Sequence, residues 1–303
     1  MQMDSLPTSV PPSSPAAAAL RDSPPAARAV MLLRPRSGWA PLDLGELWRY
    51  RELLFFLALR DIKLRYKQTY LGIAWAIIQP VTTMLVFTLL LGRTFAQSGK
   101  IPYSIWTFCA LLPWQLFANS LNQAGNSLVS NERLITKVYF PRLLMPMSSV
   151  LAGLLDIGIQ LVILLGMMFF RREPIVPGWG VLALPVFILL ALLAAMSVGL
   201  WLSALNVLYR DVRYAIPFLT QIWMVASPVF YPMSVVESHP RWVQVIYSLN
   251  PMVGVIEGFH WALLRDAHRP GLPMAVSAAA TLVLLIGGMY YFRRMEKSFA
   301  DVV

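Results

Sequence analysis

The stretch LRDIKLRYKQTYLGIAWAIIQP at 59–80 sets four cations, Arg60, Lys63, Arg65 and Lys67, directly before an apolar segment that carries Pro80. Just upstream, GELWRYRELLFFLALRD at 45–61 holds seven consecutive apolar residues from Leu53 to Leu59. That run is too short to cross a bilayer core about 30 Å thick. Around it Arg49, Glu52, Arg60, Lys63 and Lys67 recur at spacings that keep them near one helical side, and Trp48, Tyr50, Phe55 and Phe56 add apolar bulk. The pattern predicts a helix over 43–70 lying flat on the inner membrane surface, with its cations toward anionic headgroups. The chain then turns upward near Gly72. A solvated linker is the plainer alternative, but linkers seldom hold such an apolar run.

Working outward, 57% of the 303 residues are hydrophobic and 13% charged, against about 45–50% and about 25% in soluble domains. A simple soluble globule is excluded. Six apolar runs approach the length of about 20 residues that a spanning helix needs: 71–92, 103–124, 146–170, 179–206, 215–233 and 273–292. The expected fold is an all-α integral membrane protein with six transmembrane helices, forming one membrane domain over 71–303. The first 42 residues, rich in Pro, Ala and Ser, cannot bury enough surface to offset the entropy of ordering them. They predict a disordered cytoplasmic tail and lack the unbroken apolar stretch of a signal peptide. The single cysteine, Cys109, excludes a disulfide framework. The net charge of +10 does not point to nucleic acid, because the cations fall between apolar runs rather than on one face of a soluble fold.

Charge placement orients the spans. With both termini cytoplasmic, the outer segments hold Arg93, Lys100, Arg171, Arg172, Arg241, Arg265 and Arg269, and the other 18 of the 25 Lys and Arg lie inside. Lys and Arg favour the cytoplasmic side. A seventh span over 240–264 would place Arg293, Arg294 and Lys297 outside. Asn250-Pro251 would also break it into pieces too short to cross. The region instead predicts two short re-entrant helices in the outer leaflet, allowed only where protein or water satisfies their backbone.

The chain contains no G-x-x-x-x-G-K-[ST] phosphate loop, H-E-x-x-H or G-x-S-x-G motif, and no Cys/His cluster with metal spacing. His239, His260 and His268 all lie in the outer region and serve more simply as polar anchors than as a metal site. Asp156, within the third run, and Glu257 are the ionisable residues set among apolar ones, too few for a proton-coupled carrier. Asp156 is most simply a hydrogen-bonding group at a helix contact. Span two carries Gln115, Asn119, Asn122 and Asn126 at spacings of four, three and four, with Gln123 and Ser127 beside them. Amides facing lipid are penalised, so this face meets another helix or a water-filled path for something rich in hydroxyls. Aromatic residues gather at outer span ends: Tyr103, Trp106, Trp114, Trp223, Phe230, Tyr231, Trp242, Tyr247 and Trp261. They form an interfacial belt or a surface on which sugar rings stack. Two inner loops, SNERLITKVYFPR (130–142) and NVLYRDVRYAIP (206–217), mix charge with apolar residues. The first predicts a short amphipathic helix that docks a soluble partner through Leu134, Ile135, Val138 and Tyr139.

Four ordered blocks carry a resemblance: LRDIKLRYKQTYLGIAWAIIQP, ALLPWQLFANSLNQAGNSLVSNERLITKVYFPRLLMP, LSALNVLYRDVRYAIPFLTQIWMVASPVFYP and YSLNPMVGVIEGFHWALL. From about residue 45 to the C-terminus the chain resembles the membrane subunits of ABC exporters of polysaccharides, closest to the permeases for lipopolysaccharide O-antigen and related lipid-linked glycans. The resemblance implies a homodimer in a bacterial inner membrane, paired with two copies of a separate ATPase that holds the ATP and Mg. No cofactor is implied on this chain, and no catalytic or metal residue. It implies a coupling helix at 130–142, carried by Glu132, Arg133 and Lys137. It also implies an interface helix at 45–67, whose Arg60, Lys63, Arg65 and Lys67 meet a pyrophosphate headgroup. Gln115, Asn119, Asn122, Asn126, Trp106, Tyr231 and Trp261 would line the path, and 240–264 the outer exit. A family member moving capsule, teichoic acid or a small drug is the near alternative. A membrane enzyme acting on lipid-linked sugars is the distant one, and it would normally show paired carboxylates or a metal site.

Overall fold

A computed structural model describes residues 44–67, 74–95, 101–171, 179–264, 271–296 and 299. The expected tail over 1–42 and the turn near Gly72 lie outside these residues, as do Lys100, Arg172, Arg265, His268, Arg269 and Lys297. Every regular element among the described residues is an α-helix: α1 (Leu44–Arg49), α2 (Arg51–Lys67), α3 (Ala74–Phe95), α4 (Tyr103–Ser130), α5 (Glu132–Lys137), α6 (Leu144–Phe170), α7 (Trp179–Leu208), α8 (Val212–Val225), α9 (Ser234–Glu237), α10 (Arg241–Ser248), α11 (Pro251–Leu263) and α12 (Leu272–Glu296). Four of them, α3, α6, α7 from Gly180 onward, and α12, are long and apolar enough to cross a membrane, at 22 to 29 residues.

Helix α4 is of similar length at 28 residues, but its amides lower its apolarity. It packs most extensively against α7 and α6 and also touches α3, α8 and α11, so it forms the centre of the fold. Nineteen of its residues are buried. The main core runs along it, with Ile105, Phe108, Leu112, Leu116, Phe117 and Leu121 meeting Val150 and Ile157 of α6, Ala191 and Ala194 of α7, and Phe259 of α11. Gly258 of α11 permits the closest of these approaches. A Cβ there would lie 2.4 Å from the Phe187 ring on α7, closer than real side chains come.

The expected fifth span over 215–233 appears as a helix of only 14 residues ending at Val225. The chain leaves the helix there because Pro228 has no N–H to continue the ladder. Ser227 instead donates to the Trp223 carbonyl at 2.8 Å. Interior prolines at 80, 113, 185 and 217 are tolerated within helices. Beside the last of these, Thr220 donates to the Pro217 carbonyl at 2.8 Å.

The break expected at Asn250-Pro251 is present, and Asn250 makes it. Its side chain caps α11 by accepting from Met252 N at 3.0 Å, with Pro251 at the first helical position, where its missing N–H costs nothing. The same amide accepts from Trp223 Nε1 at 2.9 Å and donates to Ser227 Oγ at 2.9 Å, tying the end of α8 to the start of α11. Eleven of the 13 residues of α11 are buried. This helix is enclosed by protein rather than laid on a lipid surface.

Helix α2 packs against α6, and its polar contacts run along that helix from Ser148 to Asp156. A second core, between α2 and the α4–α5 junction, gathers Leu57, Leu128, Phe140, Leu144, Leu200, Val207 and Phe292, and the partly buried Leu53, Leu54, Leu134 and Ile135 pack on it.

Candidate functional site

The polar residues expected to act fall into three groups, around α2, along α4 and around α10 and α11. In the first, Asp61 accepts from Ser148 Oγ at 3.0 Å and Ser149 Oγ at 3.3 Å, near the start of α6. Its other oxygen accepts from Arg60 at 2.8 Å. One turn further along α2, Arg65 donates to Asp156 on α6 and to Gln123 on α4, and Tyr66 donates to the second oxygen of Asp156. Burial, with the Asp156 carboxylate adding to it, pushes the Tyr66 phenol up to about 12. Lys63 and Lys67 are exposed. Of the four cations expected to meet a headgroup, these two point to solvent, while Arg60 and Arg65 are engaged with carboxylates.

The amides of α4 are brought together but do not act alike. Gln115 is buried, and Asn119, Asn122 and Asn126 are half-buried on the same side. Asn122 and Asn126 donate back to the carbonyls of Ala118 and Asn122 at 2.8 and 2.7 Å. The Asn126 carbonyl oxygen accepts from Asn206 of α7 at 3.1 Å, and Asn206 also reaches the Gly125 carbonyl at 2.9 Å. Helix packing therefore uses one end of the amide row.

The aromatic residues form short runs and pairs, the longest being Phe95, Tyr103, Trp106 and His260 stacked one on the next. Trp106 stacks on His260 with ring centres 4.5 Å apart, and His260 Nε2 lies 3.2 Å from the Trp106 carbonyl. Trp261, the next residue, meets the edge of Phe187 at 6.2 Å. Tyr231 pairs with Tyr247 through their hydroxyls at 2.9 Å and belongs to a small third core with Met233, Val236 and Val253. His239 is tied to local groups, 3.0 Å from the Val235 carbonyl. Among the described residues no three His, Cys, Asp or Glu side chains group as metal ligands.

Only Asn131 separates α4 from α5, and its side chain donates to the Ser127 carbonyl at 2.8 Å. On α5, Glu132, Arg133 and Lys137 are exposed, as are Val138 and Tyr139 just beyond it, while Leu134 and Ile135 turn inward onto the second core. The exposed face of α5 is thus narrower than the amphipathic spacing suggests, because two apolar side chains of this six-residue helix pack on its own fold. Sequence reading missed Asp61, Tyr66, Ser148, Ser149 and Asn206. Each acts through a partner 80 or more residues away along the chain, and no local pattern marks it.

The model of the ABC-2 type transporter family matches residues 52–264. The chain is 30% identical over 261 residues to the O-antigen export system permease protein RfbA of Myxococcus xanthus, across 85% of this chain and 98% of that protein. It is 24% identical over 268 residues to a protein of the same name from Klebsiella pneumoniae, across 86% and 97%. It is also 23% identical over 246 residues to the polysialic acid transport protein KpsM of Escherichia coli, across 80% and 93%.

Proposed function

Because the chain belongs to the ABC-2 type transporter family, we propose that it is the permease subunit of an ATP-driven exporter that moves a lipid-linked polysaccharide of the O-antigen type. The observation that carries this reading is the alignment with an O-antigen export permease over 98% of that protein's length. The polymer crosses a bacterial inner membrane through a homodimer of this chain, in which each copy supplies six spans and keeps both termini inside. On this reading α4 and α8 complete the six, and α10 and α11 sit at the outer exit.

ATP and Mg belong to a separate ATPase pair, and this chain contributes transport rather than covalent chemistry. The exposed Glu132, Arg133 and Lys137 of α5 form the docking face for that ATPase. Because α5 follows α4 after one residue, a push on α5 acts on the helix at the centre of the fold. Tightly packed interfaces of this kind move as bodies rather than deforming continuously. Gln115, Asn119 and Asn122, with Trp106, Tyr231 and Trp261 toward the outer end, offer many weak contacts along which a long glycan can slide. Lys63 and Lys67, exposed at the end of α2, suit a pyrophosphate headgroup at loading, with Arg60 beside them. A second reading, an acidic polysaccharide as cargo, has the support of the relatives named for polysialic acid transport.

Depleting the protein in its host and fractionating glycans tests both readings. Lipid-linked polymer is expected to build up at the inner face while surface polymer falls, and the composition of that polymer names the cargo. Unchanged surface glycan would remove the polysaccharide assignment.

A further inference from the structure

Asp156 lies twelve residues beyond Leu144, where α6 begins, or about 18 Å along the helix at 1.5 Å per residue. Its side chain is 5% exposed. A carboxylate at that depth in a span is costly unless paired. Both its oxygens are occupied by consecutive residues of α2, Arg65 and Tyr66. The other arm of the Arg65 guanidinium goes to Gln123, whose own N–H donates to the Asn119 carbonyl at 3.2 Å. Gln123 sits seven residues before Ser130, where α4 ends and the docking segment follows. A single planar guanidinium therefore joins three helices: one on the inner surface, one spanning, and one leading directly into α5. Four residues earlier on α2, Asp61 holds the lower end of α6 through Ser148 and Ser149.

We propose that Arg65, with Asp156 and Gln123, acts as a positioning latch: it fixes α2 to α4 and α6 so that a displacement of α5 by the ATPase reaches α2 and the spans together. Arg suits this task because its fork makes two directed bonds at once, which a lysine cannot. The proposal rests on the permease reading for the source of the displacement. The rival route is the second apolar core, on which Leu53 and Leu54 of α2 and Leu134 and Ile135 of α5 also pack.

The two routes separate in the assembled complex of this chain with its ATPase. Amide hydrogen exchange along α2 is measured with and without a non-hydrolysable ATP analogue, in the unsubstituted protein and in Gln123→Leu, Arg65→Gln and the double variant. Gln123→Leu leaves the Arg65–Asp156 pair intact, so a role limited to neutralising Asp156 predicts no effect from it. The latch predicts that the nucleotide changes α2 exchange in the unsubstituted protein and that either substitution abolishes the change. It also predicts that polymer exported per ATP hydrolysed falls about tenfold, within the usual range of coupling between sites. The double variant should be no worse than either single one, because each opens the same latch. A nucleotide response of α2 that survives in Gln123→Leu, or losses that multiply in the double variant, would overturn the proposal. Failure of the permease reading is distinct: the unsubstituted complex would then move no polysaccharide, while the exchange measurement still reports on the latch.

Discussion

Helices α3 and α4 pack against each other but meet different surroundings. Helix α3 is mostly apolar and buries only Pro80, Met84 and Gly92, and its Leu89 is 82% exposed. Helix α4 carries four amides in its row and buries nineteen of 28 residues. The more polar helix is the inner one. In water that would be inverted, but in a bilayer the apolar side chains face lipid and the polar ones need protein partners. Depth in the fold, rather than apolarity, separates the two helices.

The comparison can be broken most directly by enlarging α4 at its tightest point. A Cβ at Gly125 would lie 2.6 Å from Ile216 of α8, so Gly125→Leu should prevent a stable fold, at or beyond the upper end of the roughly 1–3 kcal/mol typical of overpacking. The check is recovery of monodisperse protein in detergent. Phe117→Ala, at a fully buried position, should cost about 3–5 kcal/mol. Leu89→Ala on α3 should stay near zero by the same thermal melt, and equal costs would erase the distinction.

Polar substitution sharpens the contrast from the other side. Leu85, halfway along α3 and 52% exposed, faces lipid. Leu85→Arg should disfavour membrane insertion by about 2.5–3.5 kcal/mol, read as the inserted fraction in a translocation assay. Asn206→Leu should loosen α7 from α4 by about 1 kcal/mol through loss of its two bonds to Asn126 and Gly125. Its melting temperature should fall, and Asn126→Leu in the same background should add little, because the two share a bond.

The smallest effect concerns Tyr66. Its folded pKa is raised, so its contribution to stability is fully present below pH 10 and is lost as pH rises through about 12. Phenolate absorbance of the unsubstituted protein should include a step near pH 12 that Tyr66→Phe removes, leaving any other late-ionising tyrosine unchanged. A profile identical in both proteins would place Tyr66 in water.

Much of this was legible because the bilayer imposes a length and a composition on each span. The runs at 71–92, 146–170, 179–206 and 273–292 became long helices close to their expected bounds, since about 20 apolar residues have few other stable arrangements. The break at Asn250 was legible from the proline beside it. The interior of the polar network was not. Asp156 was visible as an anomaly in an apolar run, but its partners Arg65 and Tyr66 lie 91 and 90 residues away along the chain. Arg65 looked like one more surface cation beside Lys63 and Lys67. Leu134 and Ile135 pack in part on their own fold, which was not legible because amphipathic spacing does not say which side of a helix already has a neighbour.

The sequence by itself determined the membrane class, the position of most spanning segments, the family, and the row of amides on one helical side. These follow from local composition and period, which act within a turn or two of helix. Tertiary structure alone decided that α4 is central, that Arg65 and Asp156 meet, and that α5 exposes charge while hiding its leucine and isoleucine. Each depends on which distant surfaces come into contact, and burial of a charge or an amide is settled by the partner that arrives rather than by its neighbours in the chain.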